Sequence, residues 1–322
     1  MRFDAVINPA GASGKTGAFW QRIVPMFEGH EICEHWSSRN RGVQEIVHDL
    51  TCTGRKVNLI VVGGDGTMNE AINGIADFQK CQLGFLPFGS ANDLARHLCP
   101  GVSAEELARR ILEGKTRREI DVGEVIFHTE VNIIDPLTLR TDPSIVKRER
   151  HVRFNVSAGM GWDAEICRGV QISNLKKLLN AVHLGKLVYL GVAAETIRAM
   201  KKFHCTVFSE ERRLDFPSCM FTAVMNHRYE GGGFMFAPEA DDQDGLLDVC
   251  TAGNLGTLDF FRLFPLAYSG RHAGKNEVYL YRAEEVRMKS DIPVWVHTDG
   301  EISCQSDDIT VRLMDEKLRL MI

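Results

Sequence analysis

Residues 57–75 read VNLIVVGGDGTMNEAINGI, and this stretch decides the fold class. Val57 to Val62 is almost wholly apolar, the pattern of a parallel strand covered on both faces. From Thr67 onward, Met68, Ala71, Ile72 and Ile75 fall at i, i+3, i+4 and i+7, one stripe of a helix. Between strand and helix lies Gly63-Gly64-Asp65-Gly66-Thr67. Its three glycines let the backbone turn tightly and come close to a ligand. The helix start behind them offers unpaired N–H groups and the positive end of a dipole, so the turn is a candidate anion site. Asp65 by itself would repel phosphate and fits such a site only with a divalent cation or water between. The other reading is a plain tight turn with Asp65 as a cap.

The arrangement recurs on either side. Leu83-Gly84-Phe85-Leu86 is a short strand that runs into Pro87-Phe88-Gly89-Ser90, and a helix starts at about Asn92. Ser90 and Asn92 put hydrogen-bonding groups at that turn. Phe3 to Ile7 is a first strand, followed by Asn8-Pro9-Ala10-Gly11. In a parallel sheet the C-terminal ends of adjacent strands open onto one crevice, which places these three loops at one edge. Ser103 and Glu106 form a capping-box pattern ahead of Leu107, Ala108, Ile111 and Leu112, with Gly114 at the end. Strand and helix signals that alternate over the first ~120 residues predict an α/β, doubly wound domain.

Beyond Ile120 the character changes. Residues 152–158, 203–208, 219–226, 246–251, 277–282, 293–297 and 309–313 read as strands, interrupted by helical stretches near 174–202 and 255–268. The expected organisation is an α/β domain over 1–122 and a mostly β sandwich domain over 123–313, with a linker at Asp121 to Gly123, and whether residues 314–322 return to the first domain stays open. Residues 138–153, TLRTDPSIVKRERHVR, carry Arg140, Lys147, Arg148, Arg150 and Arg153 against Asp142 and Glu149. They read as a solvated loop, with a patch for an anionic membrane as the other reading.

Composition narrows the function classes. The 322 residues are 44% hydrophobic and 25% charged, which excludes disorder and low complexity. A net charge of -5 lacks the positive field a duplex-DNA binder needs, so no nucleic-acid partner is expected. Nine cysteines, none in a CxxC, read as reduced and mostly buried thiols of a cytoplasmic chain. No segment reaches the ~18 uncharged apolar residues of a spanning helix. Leu178 to Ala194 is broken by Lys186, and the N-terminal MRFDAVINPAG has no signal-peptide core.

Four further motifs carry chemistry in principle. Residues 9–16, PAGASGKT, nearly fit a P-loop, but Pro9 stands where the first glycine belongs and brings no N–H. Gly159-Met-Gly161-Trp-Asp-Ala164 fits a dinucleotide fingerprint, yet it lies outside the α/β half and reads as a turn of the β domain. The acidic run 238–248, PEADDQDGLLD, suggests a hard cation or an acidic turn. Val294 to Thr298 ends in Asp299-Gly300-Glu301, where a carboxylate at a strand end is a reasonable general base. DG is also the commonest hairpin turn.

In combination these pieces resemble one family. NPxxG, VVGGDGTMNEAINGI and LGFLPFGSANDLAR are followed by IDVGEV (120–125), FNVSAGMG (154–161), GGG…APEADDQDGLLDV (231–249) and HTDGE (297–301). The order is similar to the diacylglycerol kinase catalytic-domain family of lipid kinases, over nearly the whole chain. The GGDGT core is shared with NAD kinases and 6-phosphofructokinases, and the PFGSANDLAR and DGLLDV blocks favour lipid kinase. The resemblance implies an α/β nucleotide domain, a β-sandwich domain and ATP in the cleft. It implies that Asn8, Pro9, Ala10, Gly11 and Ala12 line the triphosphate, with Ser38 near the nucleotide. Gly63, Gly64, Asp65, Gly66, Thr67, Met68 and Asn69 would form the main phosphate loop, and Ser90 and Asn92 would serve from the second. Asp65 and Asp121 would hold Mg²⁺–ATP through water. Asp299 and Glu301 fall on a catalytic DGE motif that takes the proton of a lipid hydroxyl. Asp241, Asp244 and Leu246 match a structural magnesium site, Asp241 and Leu246 through backbone carbonyls. The implied partner is a lipid acceptor at the inner membrane surface, most naturally diacylglycerol. A homodimer, a soluble NAD-kinase-like acceptor and an idle binding protein stay open. Leu255 to Tyr268 reads as a core helix, with a membrane-facing element as the alternative.

Overall fold

The computed structural model of the chain describes residues 1–135, 138–172, 201–210, 212–275 and 277–322. The helix expected near 174–202 lies outside the described residues but for 201 and 202. The chain forms two compact units, one of 1–122 with 314–322 and one of 123–313.

The first unit runs β1 (Arg2–Ile7), α1 (Gly11–Gly14), α2 (Thr16–Ile23), β2 (Glu31–Trp36), α3 (Val43–Thr51), β3 (Val57–Gly63), α4 (Asp65–Gly74), β4 (Cys81–Pro87), α5 (Asp93–Leu98), α6 (Ala104–Leu112) and β5 (Arg118–Ile120). The sheet order is β2-β1-β3-β4, and these four strands are parallel. Phe3, Ile7, Leu59, Ile60, Val61, Leu83 and Phe85 are fully buried, which is why 57–62 reads as one apolar run. The helix pairs α3–α4 and α2–α6 pack together, and members of each pair lie on the strands. The strand order turns around between β1 and β3, the place where doubly wound sheets open a ligand crevice. From the other end of the chain, β16 (Leu318–Leu320) inserts parallel to β4 and antiparallel to β5. Leu318 and Leu320 are both fully buried there.

Only half of the predicted capping box forms. Ser103 Oγ accepts the Glu106 N–H at 3.2 Å, while the Glu106 carboxylate turns to Arg109 and Arg110.

The second unit contains β6 (Gly123–Asp135), β7 (Arg140–Phe154), β8 (Ser157–Gly161), α7 (Trp162–Ile172), β9 (Phe203–Ser209), β10 (Arg212–Cys219), β11 (Phe221–Met225), β12 (Leu247–Ala252), α8 (Thr257–Ala267), β13 (Val278–Ala283), β14 (Glu285–Thr298) and β15 (Glu301–Leu313). Its strands pair antiparallel in the order β13-β12-β11-β8-β14-β15-β6-β7, with β9 and β10 joined to the early half of β14. β14 holds β9 over Arg287–Ser290 and β8 over Val296–Thr298, with a register shift between Lys289 and Val294. The two halves of β14 thus serve different neighbours, and residues from both, Val286 and Val296, enter one core, as in a sandwich. That core includes Val125, Phe127, Phe154, Met160, Val249, Val286, Val296 and Val311.

Several expectations are corrected here. Residues 138–153 are not a loop: they are most of β7, paired to β6. Alternating charge along a long edge strand hid the period. The expected strand 152–158 is broken at Asn155 and Val156, which link β7 to β8. Gly159–Ala164 is a strand-to-helix junction rather than a simple turn, and β8 lies between antiparallel neighbours, so no dinucleotide βαβ unit surrounds it. α8 packs Phe264 and Ala267 into a core cluster with Trp162 and Phe221, the core-helix reading.

Candidate active site

In the first unit, the loops after β1, β3 and β4 are stitched together by backbone and short side chains. Asn8 Nδ2 donates to Thr67 Oγ1 at 3.2 Å across the switch point, and Asn8 Oδ1 accepts the Ala10 N–H at 3.1 Å. Phe88 N–H donates to the Gly63 carbonyl at 2.6 Å. Gly64 and Gly89 meet face to face: a Cβ on Gly89 would lie 2.6 Å from Gly64 Cα and 2.8 Å from Asn92 Oδ1. Only glycine permits that approach. Phe88 stacks on Phe19 with ring centroids 4.3 Å apart, so an apolar contact anchors the second loop.

Asp65 opens α4, but its carboxylate serves a different helix. Oδ2 accepts the Asp93 N–H at 3.2 Å and Oδ1 the Leu94 N–H at 3.3 Å, the first two N–H groups of α5. Burial raises its pKa above the ordinary carboxylate value, and the backbone donors from 92–94 counter this only in part. The cap reading of Asp65 is therefore realised, at α5 rather than at its own helix. Asn92 stands at the N-cap of α5 with φ 51° and donates Nδ2 to the Gly89 carbonyl at 3.1 Å. Ser90 is exposed. Ser38 is also exposed, in a turn where its N–H donates to the Arg41 carbonyl and its Oγ accepts the Asn40 N–H. Asp121 is buried, with Lys317 Nζ at 2.8 Å.

In the second unit, Asp299-Gly300 is a two-residue hairpin turn between β14 and β15 with φ of 52° and 81°. Positive φ at both residues marks the primed turn that suits the twist of paired strands. The turn also aims a carboxylate: Asp299 Oδ2 accepts the Asn155 N–H at 2.9 Å, and Oδ1 accepts Val156 and Ser157 N–H at 2.7 and 3.1 Å. Asp299 N–H in turn donates to the Ser157 carbonyl at 2.8 Å. Hairpin turn and placed carboxylate are thus one structure. Three donors hold the carboxylate in one orientation. Glu301 is exposed at the start of β15.

Sequence reasoning missed what stands behind this turn. His297 Nε2 lies 2.8 Å from Asp163 Oδ2 and 3.2 Å from Glu230 Oε1, all three buried. Its Nδ1 accepts the Gly300 N–H at 3.1 Å. Burial disfavours charge on this ring, but Asp163 and Glu230 outweigh it and raise its proton affinity. Burial, with Asp163 and Glu230, keeps the nearby Cys167 thiol protonated. The sequence signal was the His two places before Asp299, but its partners lie 134 and 67 positions away and carry no local pattern.

In the acidic loop, Asp241 Oδ1 accepts the Gln243 N–H at 3.1 Å and Asp244 Oδ1 the Leu246 N–H at 3.0 Å. Arg282 reaches Asp248 at 3.2 Å and Asp244 at 3.8 Å.

One unit is a parallel sheet with glycine loops at its switch point, and the other is a β sandwich that presents a fixed carboxylate. The family comparisons bear on the same two regions. Residues 2–125 match the diacylglycerol kinase catalytic domain, and residues 156–322 match the YegS C-terminal NAD kinase beta sandwich-like domain. The chain belongs to this diacylglycerol kinase catalytic-domain family, with a YegS-type second domain. YtlR of Bacillus subtilis (strain 168), provisionally named a lipid kinase, is 27% identical over 304 residues, 92% of each chain. A diacylglycerol kinase of the same organism is 25% identical over 276 residues, 81% of this chain and 80% of that one. Among solved structures, a provisionally named diacylglycerol kinase from Bacillus anthracis str. Sterne superposes with a TM-score of 0.72 at 19% identity, over 99% of this chain and 96% of the other. That likeness is one of fold. The second family match runs through 314–322, which the fold assigns to the first unit.

Proposed function

We propose that the chain is an ATP-dependent lipid kinase that phosphorylates a lipid alcohol, diacylglycerol to phosphatidic acid. The observation that carries the reading is Asp299, whose carboxylate three backbone N–H groups hold in one orientation within a hairpin turn. Asp299 takes the proton of the lipid hydroxyl. The freed oxygen attacks the γ-phosphorus, the bond from that phosphorus to the ADP oxygen breaks, and phosphatidic acid and ADP leave. Catalysis of this kind rests mainly on positioning and electrostatics. Asn8 to Ala12 and Gly63 to Asn69 are assigned to the phosphates, with Ser90 and Asn92 beside them.

Magnesium, when bound, offsets the charge of the triphosphate. Partly buried Asp65 is assigned a water-mediated role in holding it. Asp121 fits poorly, because Lys317 already neutralises it. Asp244, with the backbone of Asp241 and Leu246, fits the structural magnesium role in a loop whose carboxylates already organise their own backbone.

Work at an anionic membrane surface is supported by the β6–β7 hairpin. Ile134, Ile145 and Val146 are 54%, 47% and 39% exposed, and Lys147 and Arg148 are exposed beside the last two. Consecutive β-strand residues point to opposite faces, so exposure of both Ile145 and Val146 means that this stretch stands clear of its own unit. No helix among the described residues is long and apolar enough to cross a membrane.

The test is labelled-ATP transfer to mixed micelles that carry diacylglycerol, monoacylglycerol or sphingosine, with NAD as the soluble control. Labelled phosphatidic acid that disappears in Asp299→Ala supports the proposal. Label in NADP alone overturns it.

A further inference from the structure

The Asp299 turn is held from behind by a buried chain of hydrogen bonds that ends on a ring nitrogen. We propose that His297 is a positioning residue: Asp163 and Glu230 keep its single ring proton on Nε2, which leaves Nδ1 bare to fix the Asp299–Gly300 turn through the Gly300 N–H. The effect on turnover rests on the lipid-kinase reading above, whereas the state of the ring does not.

The assignment follows from one donor that has no choice. A backbone N–H can only donate, so Nδ1, which receives the Gly300 N–H at 3.1 Å, carries no proton. The two carboxylates favour a second ring proton, but the Gly300 N–H aimed at Nδ1 opposes it, so the one proton kept is on Nε2, where Asp163 Oδ2 accepts at 2.8 Å and Glu230 Oε1 lies at 3.2 Å. His297 has no exposed surface, so water does not compete for these contacts. The partners are held in turn. Asp163 sits in the first turn of α7, and Glu230 is anchored by a reciprocal backbone pair with Phe234, at 2.9 and 2.8 Å. Gly159 lets β8 pass close by: a Cβ there would overlap Asp163 Oδ2 and come within 2.6 Å of His297 Nε2. One histidine thus ties α7, the Glu230 loop and β14 to the turn that carries the base.

Asp163, Cys167, Glu230 and His297 are also a donor set of the kind that holds zinc, their ligand atoms all within 4.8 Å of one another. A metal on Nε2 needs that nitrogen bare and the ring proton on Nδ1, against the Gly300 N–H. The direction of the Gly300 bond therefore selects the hydrogen-bonded chain.

Two substitutions separate the two ring nitrogens. His297→Asn keeps an oxygen near the place of Nδ1 and gives up the reach to Asp163. His297→Gln keeps a donor near Nε2 and gives up the Nδ1 acceptor. The Gln variant is expected to lose about tenfold or more in kcat, with KM for ATP within about twofold of wild type, and the Asn variant to recover most of that loss. Equal losses, or the reverse order, overturn the positioning role. The second measurement needs no turnover: ring ¹⁵N shifts of the wild-type protein at its most active pH, with His297 assigned by its loss in the Asn variant. A bare Nδ1 with Nε2–H supports the inference. A proton on Nδ1, a doubly protonated ring, or one zinc per purified chain overturns it. The expected ring state in a protein that phosphorylates no lipid would defeat the functional reading and leave the ring assignment standing.

Discussion

Both units end a strand in a glycine-bearing turn with an aspartate, and the two turns use that residue in opposite ways. After β3, the carboxylate of Asp65 accepts the first N–H groups of α5, and the backbone of the glycine turn is the part proposed above to meet phosphate. After β14, three N–H groups of 155–157 close on the carboxylate of Asp299, the group proposed above to take the proton. The parallel strand delivers a helix N-terminus, which suits an anion. The antiparallel hairpin has no helix start behind it, and the backbone donors of 155–157 are taken up by the carboxylate it presents. Similar local sequence acquires different work from the strand pairing around it.

The sharpest way to break this contrast is Asp299→Ala. Loss of a general base costs about 10²- to 10⁴-fold, so lipid transfer should fall by that much while ATP binding, measured by titration, stays near wild type. A parallel loss of ATP binding would show that the two turns do not divide the work. Gly89→Ala tests the other side. Its Cβ would press on Gly64 Cα, and overpacking of this kind costs about 1–3 kcal/mol, read as a lower midpoint in denaturant unfolding together with weaker ATP binding. An unchanged midpoint would mean that the two loops slide apart freely.

The acceptor side is sharpened by Arg148→Ala on the edge strand. One cation at an anionic surface contributes about 1 kcal/mol, so partition onto vesicles with anionic lipid should drop roughly fivefold, and onto neutral vesicles not at all. Equal change on both would remove the electrostatic part of the reading. The smallest effect concerns Asp65. Its native pKa lies above the unfolded carboxylate value, so the native state keeps the proton over a window where the unfolded chain has released it. The stability it contributes is present below that window and lost as pH rises through the raised value. The unfolding free energy of wild type minus that of Asp65→Asn should therefore decline from about pH 4 upward. A flat difference would mean that the backbone donors cancel the burial.

Legibility differed between the units for physical reasons. In the first, Val57–Val62 and the Met68, Ala71, Ile72, Ile75 stripe sit a few residues apart, and each period reflects burial of that same segment. In the second, β7 was hidden because its exposed positions carry charge on both faces of an edge strand, and β14 looked short because its one unbroken apolar run is Ile292–Val296. Asp65 and Asp299 were visible as candidates from their glycine turns. Their hydrogen-bond partners were not, since Leu94 lies 29 positions from one and Asn155 lies 144 from the other.

By itself, the sequence determined the parallel α/β class, the glycine loops at its edge and the DG turn, because hydrophobic period and turn chemistry are local properties of the chain. The tertiary structure alone decided that Asp65 caps α5, that β16 closes the first sheet between β4 and β5, and that His297, Asp163 and Glu230 meet behind Asp299. Each of those is a long-range pairing of buried polar or strand-edge groups. A buried donor or acceptor must find a partner wherever the fold supplies one, and sequence spacing says nothing about where that is.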